Sequence, residues 1–361
     1  MRVDIITPRE LDATHRARWH GLRHRASLPH LKNPFYAPEF AQLVGEVQAT
    51  ARIAVIEIDH RVVGYFAFEH SGLGWGRPLC GRMSDHHGPV LDERVSLDAA
   101  RLIRGCGLLG WRFDHLPAAR PGFAQFETRR ARGWLMTLDG DFAAYRAQMD
   151  QRTGLLRRIE ASMRRLEREL GPLRFDAQST DAKAMRCLAK WKGDQYVRTG
   201  QIDNFGIPWV RDYLERLHHR RRPALAGMLS TLHAGDRLVA VHLGMRSEQV
   251  WHYYLPTYDR ELSRFSPGLC LLYRMAQAAP SLGLDTIDFG TGEMDYKRDL
   301  SNAQIELVQG AVEPAPVRAA RRGGHEAIRQ LRRSPWVLGA ARWGRRQLVD
   351  RINGLRESGQ R

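Results

Sequence analysis

Arg264-Phe-Ser-Pro-Gly-Leu-Cys-Leu-Leu-Tyr-Arg-Met-Ala276, followed closely by Asp285-Thr-Ile-Asp-Phe-Gly-Thr-Gly-Glu-Met-Asp-Tyr-Lys-Arg-Asp-Leu300, is the stretch on which the fold turns. Ser266 and Pro267 have the residue types of an N-cap and a first helical position, so Leu269 to Ala279 is predicted as an apolar helix. The start of such a helix offers free N–H groups and a partial positive charge, an arrangement that binds phosphate oxygens. Thr286, Ile287 and Phe289 then form a short β-rich run that breaks at Gly290 and Gly292. Asp288, Glu293, Tyr296 and Lys297 cluster around that break, the last three on an expected loop. Glycines at a strand end let backbone approach a ligand while acids, a phenol and an ammonium converge on it.

Upstream, Gly227 to His233, Arg237 to Met245 and Val250 to Leu255 are three β-runs separated by tight turns, which predicts an antiparallel meander. Alternation places Val239, Val241 and Leu243 on one face and His242 on the other, and His252 with Tyr254 on a shared face. His252 and His242 are candidate bases, although a strand histidine more often packs. Further upstream, Leu155, Leu156, Ile159, Met163, Leu166 and Leu170 recur at three or four residues within 141–170, a helical region stopped by Gly171-Pro172. Its arginines fall on the opposite side, and Glu160 stands four residues before Arg164, as on a solvated face. Ile53 to Phe68 reads as a hairpin turning at Asp59-His-Arg61.

Two motifs are lures. Gly105-Cys-Gly-Leu-Leu-Gly110 matches a dinucleotide fingerprint but follows a helical run and precedes a strand, the reverse of the required order, and is expected to be a helix C-terminus. His86 and His87 are adjacent on an extended segment and point to opposite faces, so no metal is expected there. The four cysteines, Cys80, Cys106, Cys187 and Cys270, lack metal-ligand spacing and read as buried free thiols.

At 361 residues, 43% hydrophobic and 27% charged, the chain has the composition of a globular protein with room for two domains. No run is apolar enough to span a bilayer, and Met1 to Glu10 lacks the apolar core of a signal peptide, so a cytoplasmic location is expected. The net charge of +16 is unevenly spread: Glu313 to Arg361 holds twelve arginines and four acids, half of the excess. That tail alternates arginines with Leu331, Trp336, Trp343 and Leu348, a pattern that suits either an anionic membrane surface or a helix folded back on the body. The remaining charge suits a polyanionic small ligand at least as well as a nucleic acid.

Antiparallel strands, a loop with Arg264, a capped helix and a strand ending at Gly290 follow the order of the GNAT N-acetyltransferases. Tyr258-Asp259 near Ser266-Pro-Gly268, then Asp288-Phe-Gly-Thr-Gly292, then Tyr296-Lys297 resemble more closely the acetyltransferases of cellulose or exopolysaccharide biosynthesis, which are related to the peptidoglycan aminoacyl transferases. The resemblance runs from about Leu155 to Val312. It implies an α+β fold of two tandem lobes with mixed, mostly antiparallel sheets: a degenerate lobe at 1–140, an acyltransferase lobe at 141–312, and the basic tail at 313–361. It further implies acetyl-CoA or another acyl-CoA as co-substrate, without a metal, and a saccharide or polysaccharide-precursor acceptor. Ser266, Pro267, Gly268 and Leu269 would hold the pyrophosphate with Arg264 adding charge, and Gly290 and Gly292 would admit the cofactor. Tyr296 or Lys297 would serve the thioester oxygen or the leaving thiolate, and Asp288, Glu293 or His252 would be the base or position the acceptor. Relatives carry Arg or Lys between the two glycines where this chain has Thr291. An aminoacyl-tRNA-dependent transferase on a cell-wall precursor is the alternative enzyme, and a nucleic-acid or membrane-surface binding protein the non-enzymatic one.

Overall fold

The computed structural model describes residues 1–320. Met1–Val312 forms one compact unit and Glu313–Arg361 a second, so most of the basic tail, from residue 321, lies outside the described residues. The first unit begins with β1 (Arg2–Ile6), α1 (Ala13–Arg25), α2 (Pro38–Val47), β2 (Ala51–Ile58), β3 (Arg61–Ser71), β4 (Trp75–Pro78), β5 (Val90–Leu91), α3 (Ala99–Gly105), β6 (Gly110–Pro117) and β7 (Glu127–Thr137). It continues with α4 (Phe142–Arg152), α5 (Leu155–Leu170), β8 (Leu173–Asp176), α6 (Ala182–Arg198), α7 (Pro208–His219), β9 (Arg221–Arg222) and β10 (Leu225–Ala234). The last elements are β11 (Arg237–Ser247), β12 (Val250–Tyr258), α8 (Pro267–Ala278), β13 (Thr286–Thr291), α9 (Asp295–Leu300) and β14 (Ala303–Val312).

All strands among the described residues belong to one 14-stranded mixed sheet whose main path runs β1-β2-β3-β4-β6-β14-β7-β13-β12-β11-β10-β8. The path has the same plan from either end. Each half supplies a strand, two helices, an antiparallel set of strands, a helix and a strand, with parallel pairs only at β4/β6 and β12/β13. Each half then hands its last long strand to the other: β14 lies between β6 and β7, and β7 between β14 and β13. The two-lobed mixed α/β architecture expected from the sequence is thus present, and strand exchange makes the lobes one sheet.

One apolar core joins the halves. Trp19 of α1 and Phe40, Leu43 and Val44 of α2 meet Leu188 of α6 and Tyr213, Leu214 and Leu217 of α7 over Ile53, Tyr65, Val241 and Leu243 of the strands. The opposite face is covered separately, by α4, α5 and α8 in the second half and by α3 in the first. A shared core of this size removes the exposed linker surface that normally separates domains.

Local departures from the sequence reading have identifiable causes. The single helix expected over 141–170 is two, because Thr153 is extended and its Oγ1 accepts the Leu155 N–H at 3.2 Å. Glu160 meets not Arg164 but Arg146 of α4 at 2.9 Å and the Tyr273 hydroxyl of α8 at 2.5 Å. Val239 leaves the face of Val241 and Leu243 to join Ala240 in the other core, because it is the extra residue where the β10/β11 register shifts. Gly105 ends α3, as its order in the chain requires.

Candidate active site

Strands β12 and β13 pair over only three positions, Val250 with Thr286, Trp251 with Ile287 and His252 with Asp288. Beyond His252 and Asp288 the strands part. Gly290 has a φ of 63°, so glycine meets a conformational demand there, while a Cβ would make only ordinary contacts, 3.4 Å from Asp85 Oδ2 and 3.7 Å from His252 Cε1.

A polar cluster fills the apex of the opening. Asp288 is 3% exposed; its Oδ1 accepts the Gly290 N–H at 2.7 Å and its Oδ2 accepts the Asn33 amide at 2.8 Å. His86 Nε2 stands 2.9 Å from Asp288 Oδ2, though its ring nitrogens lack an aligned hydrogen bond. Burial alone would raise the Asp288 pKa, but His86, His252 and the Gly290 N–H outweigh it and hold the carboxyl well below its ordinary range. His252 is fully buried: Nε2 is 2.9 Å from Asp85 Oδ2 and Nδ1 is 3.9 Å from Asp288 Oδ1. Asp85 is the member that reaches solvent, with a third of its side chain exposed; burial opposes its ionisation, but the His252 hydrogen bond prevails and its pKa is lowered.

Lysines flank the parting strands. Lys297 of α9 donates to the carbonyls of Phe289 at 2.7 Å and Thr291 at 2.5 Å, and burial lowers its pKa. Lys192 of α6 donates to the Pro256 carbonyl of β12 at 3.1 Å, and burial with the nearby Lys297 charge lowers its pKa to about 8. The residues expected on a loop after Gly292 include the short helix α9, where neighbours diverge by about 100°. Hence Lys297 turns to the strand ends, while Tyr296 packs beside Phe289 and burial pushes its phenol to about 12. Glu293 is exposed, and Gly292, with a φ of 128°, lies against the Lys297 ammonium. His242 is buried, stacked on Tyr253 at 4.6 Å and accepting the Tyr254 N–H at 3.1 Å; burial keeps it neutral.

Above the opening, α8 starts at Ser266, a left-handed residue with a φ of 49° whose side chain forms no cap. The Ser266 and Leu269 N–H groups already donate to the carbonyls of Ser263 at 3.0 Å and Ser266 at 2.9 Å, which leaves Gly268 as the N–H without a protein acceptor among the described residues. Arg264 points to Glu169 at 2.7 Å and stacks 4.7 Å over Phe265. The matching position in the first half is closed, since the Asp98 carboxylate caps α3 through the N–H groups of Ala100 and Arg101. A carboxylate there repels phosphate.

Residues 151–298 match the family described as an acetyltransferase (GNAT) domain. These residues form a GNAT acetyltransferase domain. The match spans 148 of the 361 residues and supports an acyltransferase. No curated protein sequence matches it. Among solved structures, FemX superposes with a TM-score of 0.57 at 11% identity, over 86% of this chain and 96% of FemX. The C-terminal domain assigned to a lysylphosphatidylglycerol synthetase of Agrobacterium fabrum gives 0.53 at 13% identity, over 85% and 94%. A conserved protein of Bacteroides thetaiotaomicron gives 0.52 at 12%, over 82% and 96%. At these identities the likeness is one of fold.

The GNAT domain supplies Asp288, His252, Lys192 and Lys297, but Asn33, Asp85 and His86 come from the first half. The position of Thr291 is also completed from there: its Oγ1 is 3.1 Å from His115 Nε2, and His115 pairs with Asp114 at 3.0 Å. His86 and His87 do diverge, His87 turning to accept the N–H groups of Asp114 and His115 on β6. The signal for Asp85 and His86 in the sequence is the Ser84-Asp-His-His-Gly-Pro89 run itself, polar and ending in a Gly-Pro break. Among the described residues no helix is long and apolar enough to cross a membrane.

Proposed function

We propose that the protein transfers an acyl group from acyl-CoA to a hydroxyl or amine of a saccharide or polysaccharide precursor. The observation that carries this reading is the parting of β12 and β13 over a buried carboxylate–imidazole cluster, below a helix whose start no side chain caps. The start of α8 fits a phosphate-bearing donor: its end carries partial positive charge, the Gly268 N–H is unpaired, and a Gly268 Cβ would meet the Tyr258 ring at 3.3 Å. Arg264 is tied to Glu169, so charge at this end comes mainly from the backbone. The donor would supply an activated thioester.

Within the opening, Asp85 is placed to take the acceptor's proton, with His252 orienting it from behind. Asp288 stays ionised and serves as an anchor, holding Asn33 and Gly290 and facing His86. Lys297 and Lys192 are the nearest cations for oxygen charge that develops during transfer. The saccharide acceptor rests on the sequence resemblance to exopolysaccharide acetyltransferases. Residues 313–361 are proposed to lie on an anionic membrane surface.

A second reading, transfer from an aminoacyl-tRNA, rests on the sequence resemblance to the peptidoglycan aminoacyl transferases, and the FemX likeness in fold is consistent with it. Calorimetry separates the two. Saturable micromolar binding of acetyl-CoA supports the first reading; its absence, with tRNA binding that weakens as salt rises, supports the second.

A further inference from the structure

Asp114 and His115 are neighbours on β6, and in a regular strand their side chains would leave opposite faces. Here they meet, with His115 Nδ1 3.0 Å from Asp114 Oδ1, though off the aligned direction. The cause is a bulge. Val308 pairs with Leu116 and Gly310 with Phe113, so Asp114 and His115 together face the single residue Gln309 of β14. The N–H groups of both bulged residues donate to His87 Nε2, at 3.2 and 3.1 Å. Burial lowers the His87 pKa to about 3, and a neutral ring can accept them.

β13 carries a second bulge. Asp288 pairs with Leu135 and Thr291 with Gly133, which leaves Phe289 and Gly290 opposite the one residue Trp134. Past this bulge Thr291 turns its hydroxyl to the first half, where Oγ1 lies 3.1 Å from His115 Nε2. Thr291 and His115 are half-buried and Asp114 is exposed, so solvent reaches the group. The group also borders the opening. Gly290, one residue earlier, lies against Asp85, and Asp85 and His115 are close enough for each to shift the other's ionisation. Burial opposes protonation of His115, but Asp114 and Asp85 outweigh it and raise its pKa, so the ring is a stronger base than a free imidazole.

A hydroxyl, an imidazole and a carboxylate in this order are the parts of an activated nucleophile. We propose that Thr291 is that nucleophile and that acyl transfer runs through an acyl-threonine ester on β13. The inference rests on the acyl-transfer reading and deepens it, from one direct step to two. In the first, Thr291 Oγ1 gives its proton to His115 Nε2 and bonds to the thioester carbonyl carbon; the C–S bond breaks and the CoA thiolate leaves, taking a proton from solvent. Asp114 steadies the imidazolium, and Lys297, which donates to the Thr291 carbonyl at 2.5 Å, brings positive charge to the same residue for the oxyanion. In the second, the acceptor's hydroxyl or amine gives its proton to Asp85 and attacks the ester carbonyl. The ester C–O bond breaks, Oγ1 recovers its proton from His115, and Asp85 returns its own to solvent.

The test is the mass of the full-length protein after a brief incubation with acetyl-CoA and no acceptor, quenched in acid. The wild type should gain a single acetyl group on the peptide holding Thr291, with an equivalent amount of CoA thiol released in a burst. Hydroxylamine, added after acetyl-CoA is removed, should take the label off, as it cleaves an ester but not an amide. Thr291→Val should lose label and burst while still binding acetyl-CoA in calorimetry, and Thr291→Ser should regain both. His115→Gln should slow labelling about 10²-fold or more. p-Nitrophenyl acetate, which brings an acetyl group without CoA, should label the same residue with the same dependence on Thr291 and His115. Acetyl-CoA binding with no label from it, a label that survives in Thr291→Val, or one that resists hydroxylamine overturns the inference. Label from p-nitrophenyl acetate without acetyl-CoA binding keeps the nucleophile and refutes the acyl-CoA reading alone; no label and no binding refutes both.

Discussion

At the scale of single residues, the site is a set of charges whose states are set by burial and by close partners. Asp288 has a depressed folded pKa, so its ionic contacts contribute stability that is fully present above the ordinary carboxylate range near pH 4. That contribution is lost as pH falls through the folded value. Asp288→Asn should therefore cost about 1–3 kcal/mol at neutral pH, with the gap to the wild type narrowing in acid; a gap constant from pH 7 to pH 2 would refute the assignment. Lys192 works in the other direction. Its amine, lowered to about 8, loses its charge just above neutrality, so turnover should fall above about pH 8 if the ammonium serves developing oxygen charge. Lys192→Arg keeps a cation there and should move that alkaline limb upward. An unmoved limb removes Lys192 from the mechanism.

At the scale of elements, the β12/β13 split and the start of α8 place the chemistry, and much of this was legible in the sequence. The apolar helix beginning at Ser266-Pro267, the meander before it and the strand ending at Gly290 are local patterns of period and turn chemistry, although the Ser266 side chain, expected as a cap, forms none. The partners of those elements were not legible. Asp85 and His86 lie some 200 residues before Asp288, and no periodicity encodes a contact at that separation. Tyr296 and Lys297 looked equivalent because the residues after Gly292 read as a loop; as part of α9 they face apart. Gly290→Ala should test the split itself. Its left-handed φ predicts a loss of about 1 kcal/mol or more, and a methyl set beside Asp85 and His252 predicts a drop in turnover. A variant of normal stability and activity would show that the strand end tolerates a side chain and is not the close-approach point.

At the scale of the whole molecule, strand exchange makes the lobes interdependent. β7, from the first half, fills the gap between β13 and β14, and the first half also supplies Asn33, Asp85 and His86 to the site. A fragment of residues 141–312 would leave β13 with one unpaired edge and β14 with two, and would expose the α6–α7 face of the shared core. It is expected to be insoluble when produced alone and to recover solubility when co-produced with residues 1–140. Cooperative folding of the isolated fragment, measured by denaturant unfolding, would contradict this dependence and would support the proposed boundary near residue 140 as a true domain border. The most direct measurement of the whole account is release of free CoA thiol from acetyl-CoA in the presence of an amino- or hydroxyl-bearing saccharide acceptor, run beside acetyl-CoA calorimetry on the wild type, Asp85→Asn and His252→Gln. The expected result is turnover by the wild type and a fall of about 10²–10⁴-fold in both variants, with acetyl-CoA affinity preserved. Undiminished turnover in Asp85→Asn, or a wild type that fails to bind acetyl-CoA, would contradict it.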